Sequence, residues 1–248
     1  MKTTLGFATG LMRHLPTQDA IEFIQKTGCE AVEVNFPKDY NERDWISEIP
    51  TSALDSFKRV SVHLPKIPAE GEYGQYADND GTEVVFGMYK RLKTLRNIDA
   101  VIVHPNMVSD FDVLPRFGQK VLLENLDKRN TRYTRPEDFR ELFSDSSPFG
   151  MILDLNHVFT HDPSMRRAKE FYDAYGDRVG EIHLSGFTEL HEPLFRTRQD
   201  EIIYSIQDFS TPIILEGTMK PEELSLEMEY VLNKMEDYIN RARVNRIA

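Results

Sequence analysis

The chain has 248 residues, of which 40% are hydrophobic, and it carries one cysteine and a formal net charge of −11. The acidic balance argues against broad nonspecific affinity for nucleic acid or anionic membranes, so DNA is a possible partner only through a local basic patch. Cys29 alone cannot form an intrachain disulfide, and no apolar run approaches the roughly 18 residues of a membrane span. These features predict a cytoplasmic protein with one domain over residues 1–248 and no membrane partner, and they leave its oligomeric state open.

Short apolar runs of strand length alternate with helical segments along the whole chain. Strands are predicted at residues 3–8, 31–36, 59–64, 100–103, 121–124, 151–155, 181–184 and 212–215. Helices are predicted at residues 17–28, 50–58, 82–96, 113–118, 136–143, 163–175, 197–207 and 221–243. A long loop rich in Gly, Glu and Tyr is expected over residues 66–80. Eight alternations predict an α/β protein with a single (β/α)₈ TIM barrel, and a doubly wound open sheet is the alternative.

Six of the predicted strands end at or near a side chain that can bind a metal. These side chains are His63, His104, Glu124, Asp154, His183 and Glu216. Each alone has a structural explanation, such as a hydrogen-bonded histidine or a helix cap, but in a barrel the carboxyl ends of the strands meet at one mouth. The set of nitrogen and oxygen donors suits Zn²⁺, Mn²⁺ or Fe²⁺, and the absence of cysteine ligands argues against a structural zinc site. A divalent-metal centre is therefore predicted there.

Three more candidates lie close to these strand ends. His157 follows Asp154 by three residues, and Glu189 and His191 alternate in the segment after the seventh strand. Alternation places Glu189 and His191 on the same side of an extended loop, where they can form a third metal position with His157. An ordinary loop that Glu189 caps is the equal alternative. The two remaining histidines, His14 and His161, are expected in surface loops.

A basic segment follows the fifth strand in this otherwise acidic chain. Its residues Lys128, Arg129 and Arg132 come just after Glu124 and are predicted to bind an anionic substrate, either a phosphoester or a sugar derivative. Tyr133 can stack on a base or a sugar there. A solvated loop whose charges pair with Asp127 is the other interpretation of the same residues.

The order of these residues resembles the xylose-isomerase-like TIM-barrel superfamily, and most closely its endonuclease IV group. The resemblance implies one zinc held by His63, His104 and Glu124, and a second held by Glu124, Asp154, His183 and Glu216. It implies a third zinc held by His157, Glu189 and His191, although that group usually has Asp where this chain has Glu189. The segments LENLDKRNTRYT and ILDLNH are also similar to UV-damage endonucleases of the same superfamily.

Sugar isomerases and epimerases of that superfamily give the alternative. Their single divalent ion, which can also be Mn²⁺ or Mg²⁺, would be held here by Glu124, Asp154, His183 and Glu216. The resemblance then implies that Glu124 and Glu216 move protons on the sugar carbon and that His157 contacts the substrate. Since an isomerase does not need both early histidines, we expect a zinc-dependent phosphoester hydrolase with a di- or trinuclear site, in which Glu124 bridges two ions. A metal-bound scaffold for an anionic ligand is the non-enzymatic possibility.

Overall fold

Eight parallel strands form the closed barrel that the sequence predicts. In the computed structural model, which describes residues 3–67, 75–118 and 120–247, each strand pairs with the next and the last pairs with the first. The strands are β1 Leu5–Ala8, β2 Ala31–Asn35, β3 Arg59–His63, β4 Ala100–Val103, β5 Lys120–Glu124, β6 Gly150–Asp154, β7 Val179–Leu184 and β8 Ile213–Leu215. The closed parallel order confirms the TIM barrel and excludes the open sheet.

Helices connect the strands around the outside of the barrel. They are α1 Thr17–Lys26, α2 Asp80–Leu95, α3 Leu155–His161, α4 Arg166–Tyr175, α5 Leu194–Thr197, α6 Asp200–Tyr204 and α7 Leu224–Ile247. Short 3₁₀ turns cover Thr9–Met12, Pro105–Met107, Phe111–Phe117, Pro136–Phe139, Gly176–Arg178 and Pro221–Glu223. None of the described helices is long and apolar enough to cross a membrane.

The two-residue period of the strands sorts their side chains into two packed layers. In β5, Val121 and Leu123 belong to the large core that includes the helices, whereas Leu122 packs with Ile152 of β6 in a separate small cluster. Because successive side chains of a strand point to opposite faces, the side chain of Glu124 points to the same face as that of Leu122. The strand pattern therefore directs this carboxylate into the barrel and not toward the helices.

Several helix predictions are wrong at their boundaries or in kind. Residues 50–58 form turns instead of a helix, and only Pro136–Phe139 is helical, as a 3₁₀ turn, within the predicted helix 136–143. The predicted helix 197–207 is the pair α5 and α6, with Arg198 between them at a φ of 58°. Residues 68–74 of the predicted loop 66–80 lie outside the described part of the chain.

The sixth strand shows the most informative difference from the prediction. It ends at Asp154, one residue earlier than expected, and α3 begins directly at Leu155. The carboxylate of Asp154 caps this helix by accepting a hydrogen bond from the backbone N–H of His157 at 2.8 Å. His157 therefore lies in the first helical turn, and His161 ends the same helix instead of lying in a loop.

Candidate metal centre

The carboxylate of Glu124 lies at the centre of the barrel mouth, between two groups of histidines. Its Oε2 is 3.1 Å from Nε2 of His63 and 3.0 Å from Nε2 of His104. Its Oε1 is 3.3 Å from Nδ1 of His157 and 3.7 Å from Nδ1 of His183. Each oxygen of this carboxylate therefore faces a different group of potential ligands.

Three groups of side chains at this mouth have ligand atoms within 4.8 Å of one another. They are His63 with His104 and Glu124; Glu124 with Asp154, His183 and Glu216; and Asp154 with His157 and His191. Glu124 is common to the first two groups, and Asp154 is common to the last two. The geometry brings eight of the nine predicted ligands together at one end of the barrel.

Buried atoms without hydrogen bonds mark the middle group as a site that needs a ligand. Oδ2 of Asp154 and Nδ1 of His183 are both inaccessible to solvent and have no hydrogen-bond partner in the described structure. Nδ1 of His183 lies 3.4 Å from Oε2 of Glu216, whose side chain is 15% exposed. Because unsatisfied buried polar atoms are costly, a bound divalent ion is a chemically suitable partner for both.

Hydrogen bonds to backbone groups fix the orientation of two histidine rings. Nδ1 of His63 is 3.1 Å from the carbonyl oxygen of Leu64, and Nδ1 of His157 is 2.7 Å from that of Asn125. A carbonyl can only accept, so Nδ1 carries the proton in both rings and Nε2 is left as the coordinating nitrogen. This arrangement is typical of histidines that bind metals.

The ring of His191 is positioned by the ends of two strands. Its Nδ1 lies 2.9 Å from the hydroxyl oxygen of buried Ser185, which follows β7, and its carbonyl accepts the backbone N–H of Thr218, which follows β8. The ring centroid is 5.2 Å from that of His157. His191 is thus held beside His157 although it lies outside any strand or helix.

Glu192 organises the loop that carries His191. Its carboxylate accepts the backbone N–H groups of Thr188, Glu189 and Leu190, at 2.8, 3.3 and 3.3 Å. Its own backbone forms two hydrogen bonds with Gly186, at 2.7 and 3.0 Å, which close the loop into a hairpin. The side chain of Glu189 is exposed and outside the three groups, so its assignment as a ligand stays a prediction.

Sequence reasoning missed a buried carboxylate pair behind the centre. Oε2 of Glu33, on β2, lies 3.1 Å from Nε2 of His183, and Oε1 of Glu181, on β7, lies 3.8 Å from the same nitrogen. Glu181 is also paired with Arg59 at 2.6 Å and accepts the hydroxyl proton of Ser61 at 3.0 Å. The signal available in the sequence is a carboxylate between two valines in β2, where apolar residues dominate.

The carboxylates and histidines of the centre shift one another's pKa values strongly. Burial lowers the pKa of His63, but the nearby carboxylates Glu33, Glu124 and Glu216 outweigh it and raise this pKa to about 9. Burial raises the pKa of Glu216, but His183 outweighs it and lowers this pKa to about 2. Burial holds the pKa of Asp154 well above its ordinary value. In the metal-free protein, protons on histidines therefore compensate the buried carboxylates.

Two of the three basic residues predicted to bind substrate lie beside the centre. A cavity next to the centre is lined by Asp127, Lys128, Arg129, Asn156, Thr160, Phe187, Glu189, Leu190 and His191. Lys128 lies over the ring of Phe187 at 4.7 Å, whereas the guanidinium of Arg129 is bound by the carboxylate of Asp127. Arg132 instead lies over Tyr133, at 5.1 Å from the ring centroid, and does not line this cavity. Among these cations, Lys128 is the one best placed to meet a substrate anion.

Comparison with known proteins shows similarity in structure only. The chain matches no protein-family model, and a search of curated proteins found no match. Endonuclease IV from Thermus thermophilus superposes with a TM-score of 0.67 at 17% identity, covering 94% of this chain and 99% of that one. An L-ribulose 3-epimerase superposes with a TM-score of 0.64 at 14% identity, covering 98% of each chain. A xylose isomerase domain-containing protein from Salmonella typhimurium gives 0.63 at 12% identity, with 95% and 98% covered.

The chain shares the (β/α)₈ barrel fold of these three proteins. The proteins that share this fold with it include an endonuclease and an epimerase, which carry out different reactions. At identities this low the likeness concerns the fold, and the reaction has to be argued from the residues of the centre.

Proposed function

We propose that this protein is a metal-dependent phosphoester hydrolase of the endonuclease IV type, with two or three divalent ions, preferably zinc. The observation that supports the proposal is that the two oxygens of the Glu124 carboxylate face different histidines. One oxygen faces Nε2 of His63 and of His104, and the other lies 3.7 Å from Nδ1 of His183. A carboxylate in this position suits the bridging of two ions, which is the arrangement of two-metal phosphoesterases.

The residues present fit such a centre. Asp154 and His183 contribute buried atoms without hydrogen bonds, and histidine nitrogens with carboxylate oxygens are the donors that zinc accepts. His63, His104 and Glu124 would hold one ion, and Glu124, Asp154, His183 and Glu216 a second. His157 and His191, with Asp154, would hold a third.

When bound, the ions supply activated water and neutralise the charge of the phosphoester. The protein's own contribution is orientation and binding. Glu124 belongs to both the group of His63 and His104 and the group of His183 and Glu216. Asp154 fixes the first turn of α3. Lys128 at the edge of the cavity would hold the substrate anion, while Phe187 and Leu190 offer apolar surface to a sugar or base. DNA remains a possible substrate, although the net charge of −11 does not favour it.

A sugar isomerase or epimerase is the second candidate. The group of Glu124, Asp154, His183 and Glu216 is complete without the two early histidines. A single divalent ion, zinc, manganese or magnesium, would then suffice, and Glu124 and Glu216 would exchange protons with the sugar. The shared fold with L-ribulose 3-epimerase supports this alternative.

The deciding experiment counts metals and follows two reactions. Elemental analysis and anomalous scattering of the purified protein should give two or three ions per chain. The variant His104→Ala should lose one ion and most phosphodiesterase activity, whereas His14→Ala, in an exposed turn, should keep both. One ion or fewer, with full activity in His104→Ala, would reject the multinuclear hydrolase. Exchange of deuterium from D₂O into a ketose without hydrolysis would select the isomerase, and tight metal binding without either reaction would select a non-catalytic scaffold.

A further inference from the structure

His183 is oriented differently from His63 and His157, two other histidines of the centre. His63 and His157 use Nδ1 for a backbone carbonyl and leave Nε2 to the centre. His183 instead directs Nδ1 toward Glu124 and Glu216, at 3.7 and 3.4 Å. Its Nε2 points away from the mouth, into the barrel. Something behind this ring must therefore determine which of its two nitrogens carries a proton.

Glu33 occupies that position. Its Oε2 is 3.1 Å from Nε2 of His183, and both residues are completely buried. Neither atom forms a hydrogen bond in the described part of the chain, and their mutual contact, although 3.1 Å long, lacks hydrogen-bond geometry. The other carboxylate oxygen near Nε2, Oε1 of Glu181, is farther away at 3.8 Å, so Glu33 is the nearer partner for this nitrogen.

The orientation of Glu33 is itself determined by Asn35. The amide oxygen of Asn35 accepts the backbone N–H of Gly10 at 2.7 Å, so the amide nitrogen must be the group that faces Glu33. That nitrogen donates to Oε1 of Glu33 at 3.0 Å. Oε1 is thereby occupied, and Oε2 remains as the oxygen that meets His183.

Glu33 and Glu181, which lie behind His183, are better suited to holding that ring than to binding a metal ion themselves. Both oxygens of Glu181 already have a partner, because Arg59 pairs with Oε2 and Ser61 donates to Oε1. Arg59 supplies the positive charge that an ion would otherwise provide. The neighbouring Glu33 therefore remains as the carboxylate that acts on the ring of His183.

We propose that Glu33 is a positioning residue, which holds Nε2 of His183 and thereby presents Nδ1 to a divalent ion at the mouth of the barrel. This inference rests on the proposed function in so far as it requires a metal ion there. A carboxylate behind a ligating histidine fixes its tautomer and ring orientation, and losing such a partner typically weakens metal binding 10- to 100-fold. Glu33, on β2, thus acts on a centre to which its own strand contributes no ligand.

The variant Glu33→Gln tests this role with almost no change in shape. Asn35 still donates to the position that Oε1 of Glu33 occupies, so the amide oxygen of the glutamine must lie there. Its NH₂ group then faces Nε2 of His183, and two donors cannot face each other. The ring is forced to carry its proton on Nδ1, the nitrogen that a metal needs free.

The measurement is a Zn²⁺ titration of the metal-free full-length protein, with thermal unfolding as the check that each variant folds. Glu33→Gln should weaken binding of at least one ion 10- to 100-fold. Ser61→Ala, which removes an equally buried polar group that contacts Glu181 and not His183, should change it less than about threefold. In zinc-loaded wild-type protein, ¹⁵N-histidine spectra should show the proton of His183 on Nε2.

The outcomes separate the inference from the proposed function. Wild-type protein that takes up no zinc overturns both. Zinc uptake that is unchanged in Glu33→Gln, or weakened equally in Ser61→Ala, overturns only the role of Glu33. If Glu33→Gln fails to fold, the wild-type spectrum still decides, because a proton on Nδ1 of His183 in the zinc-loaded protein contradicts the inference.

Discussion

Asn125 holds Asp154 through both backbone groups of that residue. The amide nitrogen of Asn125 donates to the carbonyl oxygen of Asp154 at 2.9 Å, and the amide oxygen accepts its N–H at 2.8 Å. The carbonyl of Asn125 also accepts Nδ1 of His157. One residue after β5 therefore fixes two candidate ligands on β6 and α3. The metal centre consequently depends on a side chain that cannot itself be a good metal ligand.

Replacing Asn125 by Ala should damage both stability and metal binding. The change removes the two buried hydrogen bonds that the side chain makes with the backbone of Asp154, and a buried group that loses such a partner costs about 1–3 kcal/mol. We expect the free energy of unfolding in urea to fall by about 2–5 kcal/mol and zinc affinity to fall with it. Asn106→Ala, at an exposed position, should change stability by less than about 0.5 kcal/mol. Equal stability of the two variants would contradict this role.

The raised pKa of His63 predicts that metal-free protein loses stability as pH increases. A histidine whose folded pKa lies at about 9, above its ordinary value of 6.5, stabilises the fold fully below pH 6.5. That contribution disappears as pH rises through about 9. The melting temperature in the presence of a chelator should therefore fall between these pH values, and His63→Gln should fall less. A melting temperature that does not depend on pH in this window would count against the charged histidine cluster.

Zinc binding should show the complementary pH dependence. The proton on His63 must leave before its nitrogen can bind an ion, so zinc affinity should rise with pH up to about 9. Calorimetric titrations in buffers with different ionisation enthalpies should reveal proton release on binding near pH 7. Identical heats in all buffers would show that no proton is displaced.

The raised pKa of Glu227 predicts a second effect of pH on stability, at a site away from the candidate metal centre. Its carboxylate on α7 accepts the N–H groups of Leu194 and Phe195 at 2.8 and 2.9 Å, and burial raises its pKa to about 7. Because the folded pKa lies above the ordinary value of 4.5, stability is greatest below pH 4.5 and is lost as pH rises through about 7. Glu227→Gln cannot titrate, and its NH₂ group must face one of the two N–H donors, so this variant should be less stable than wild type at pH 5. Because only wild type loses stability as pH rises through about 7, the deficit measured by urea unfolding should shrink by on the order of 1–3 kcal/mol at pH 8, and a deficit that is the same at both pH values would contradict the assignment.

Lys128 should contribute to binding of an anionic substrate more than Arg132 does. Lys128 lines the cavity that includes His191, whereas Arg132 lies over Tyr133 outside that cavity. We expect Lys128→Ala to raise KM about tenfold with little change in kcat, since one charged contact contributes about 1.5–3 kcal/mol. Arg132→Ala should change KM less than about twofold. An equal rise in both variants would mean that the whole basic loop binds the substrate.

The strands and their terminal ligands could be predicted because each depends on a short stretch of chain. An apolar run followed by His104 or Glu124 predicts a buried strand with a ligand at its end, and barrel closure then brings these ends together. The start of α3 could not be predicted in the same way. It depends on the cap that Asp154 provides, and the same carboxylate was already explained as a ligand at the strand end.

The role of Glu33 lay beyond sequence reasoning for a different reason. Alternation predicts that Glu33 and Asn35 share one face of β2, and their 3.0 Å hydrogen bond agrees with that. No local pattern states which residue lies across the barrel from them, and His183 is on a strand that β2 does not pair with. Contacts across the interior depend on the closure of the whole sheet.

Because Glu124 belongs to two neighbouring groups of ligands, ion binding at one group should affect ion binding at the other. An ion at His63 and His104 would withdraw charge from Oε2, and the same carboxylate offers Oε1 to the ion beside His183. By linkage, whatever factor the first ion imposes on the affinity for the second, the second imposes on the first. The fraction of protein that carries only one ion therefore depends on both sites. A single affinity constant cannot describe metal binding at this centre.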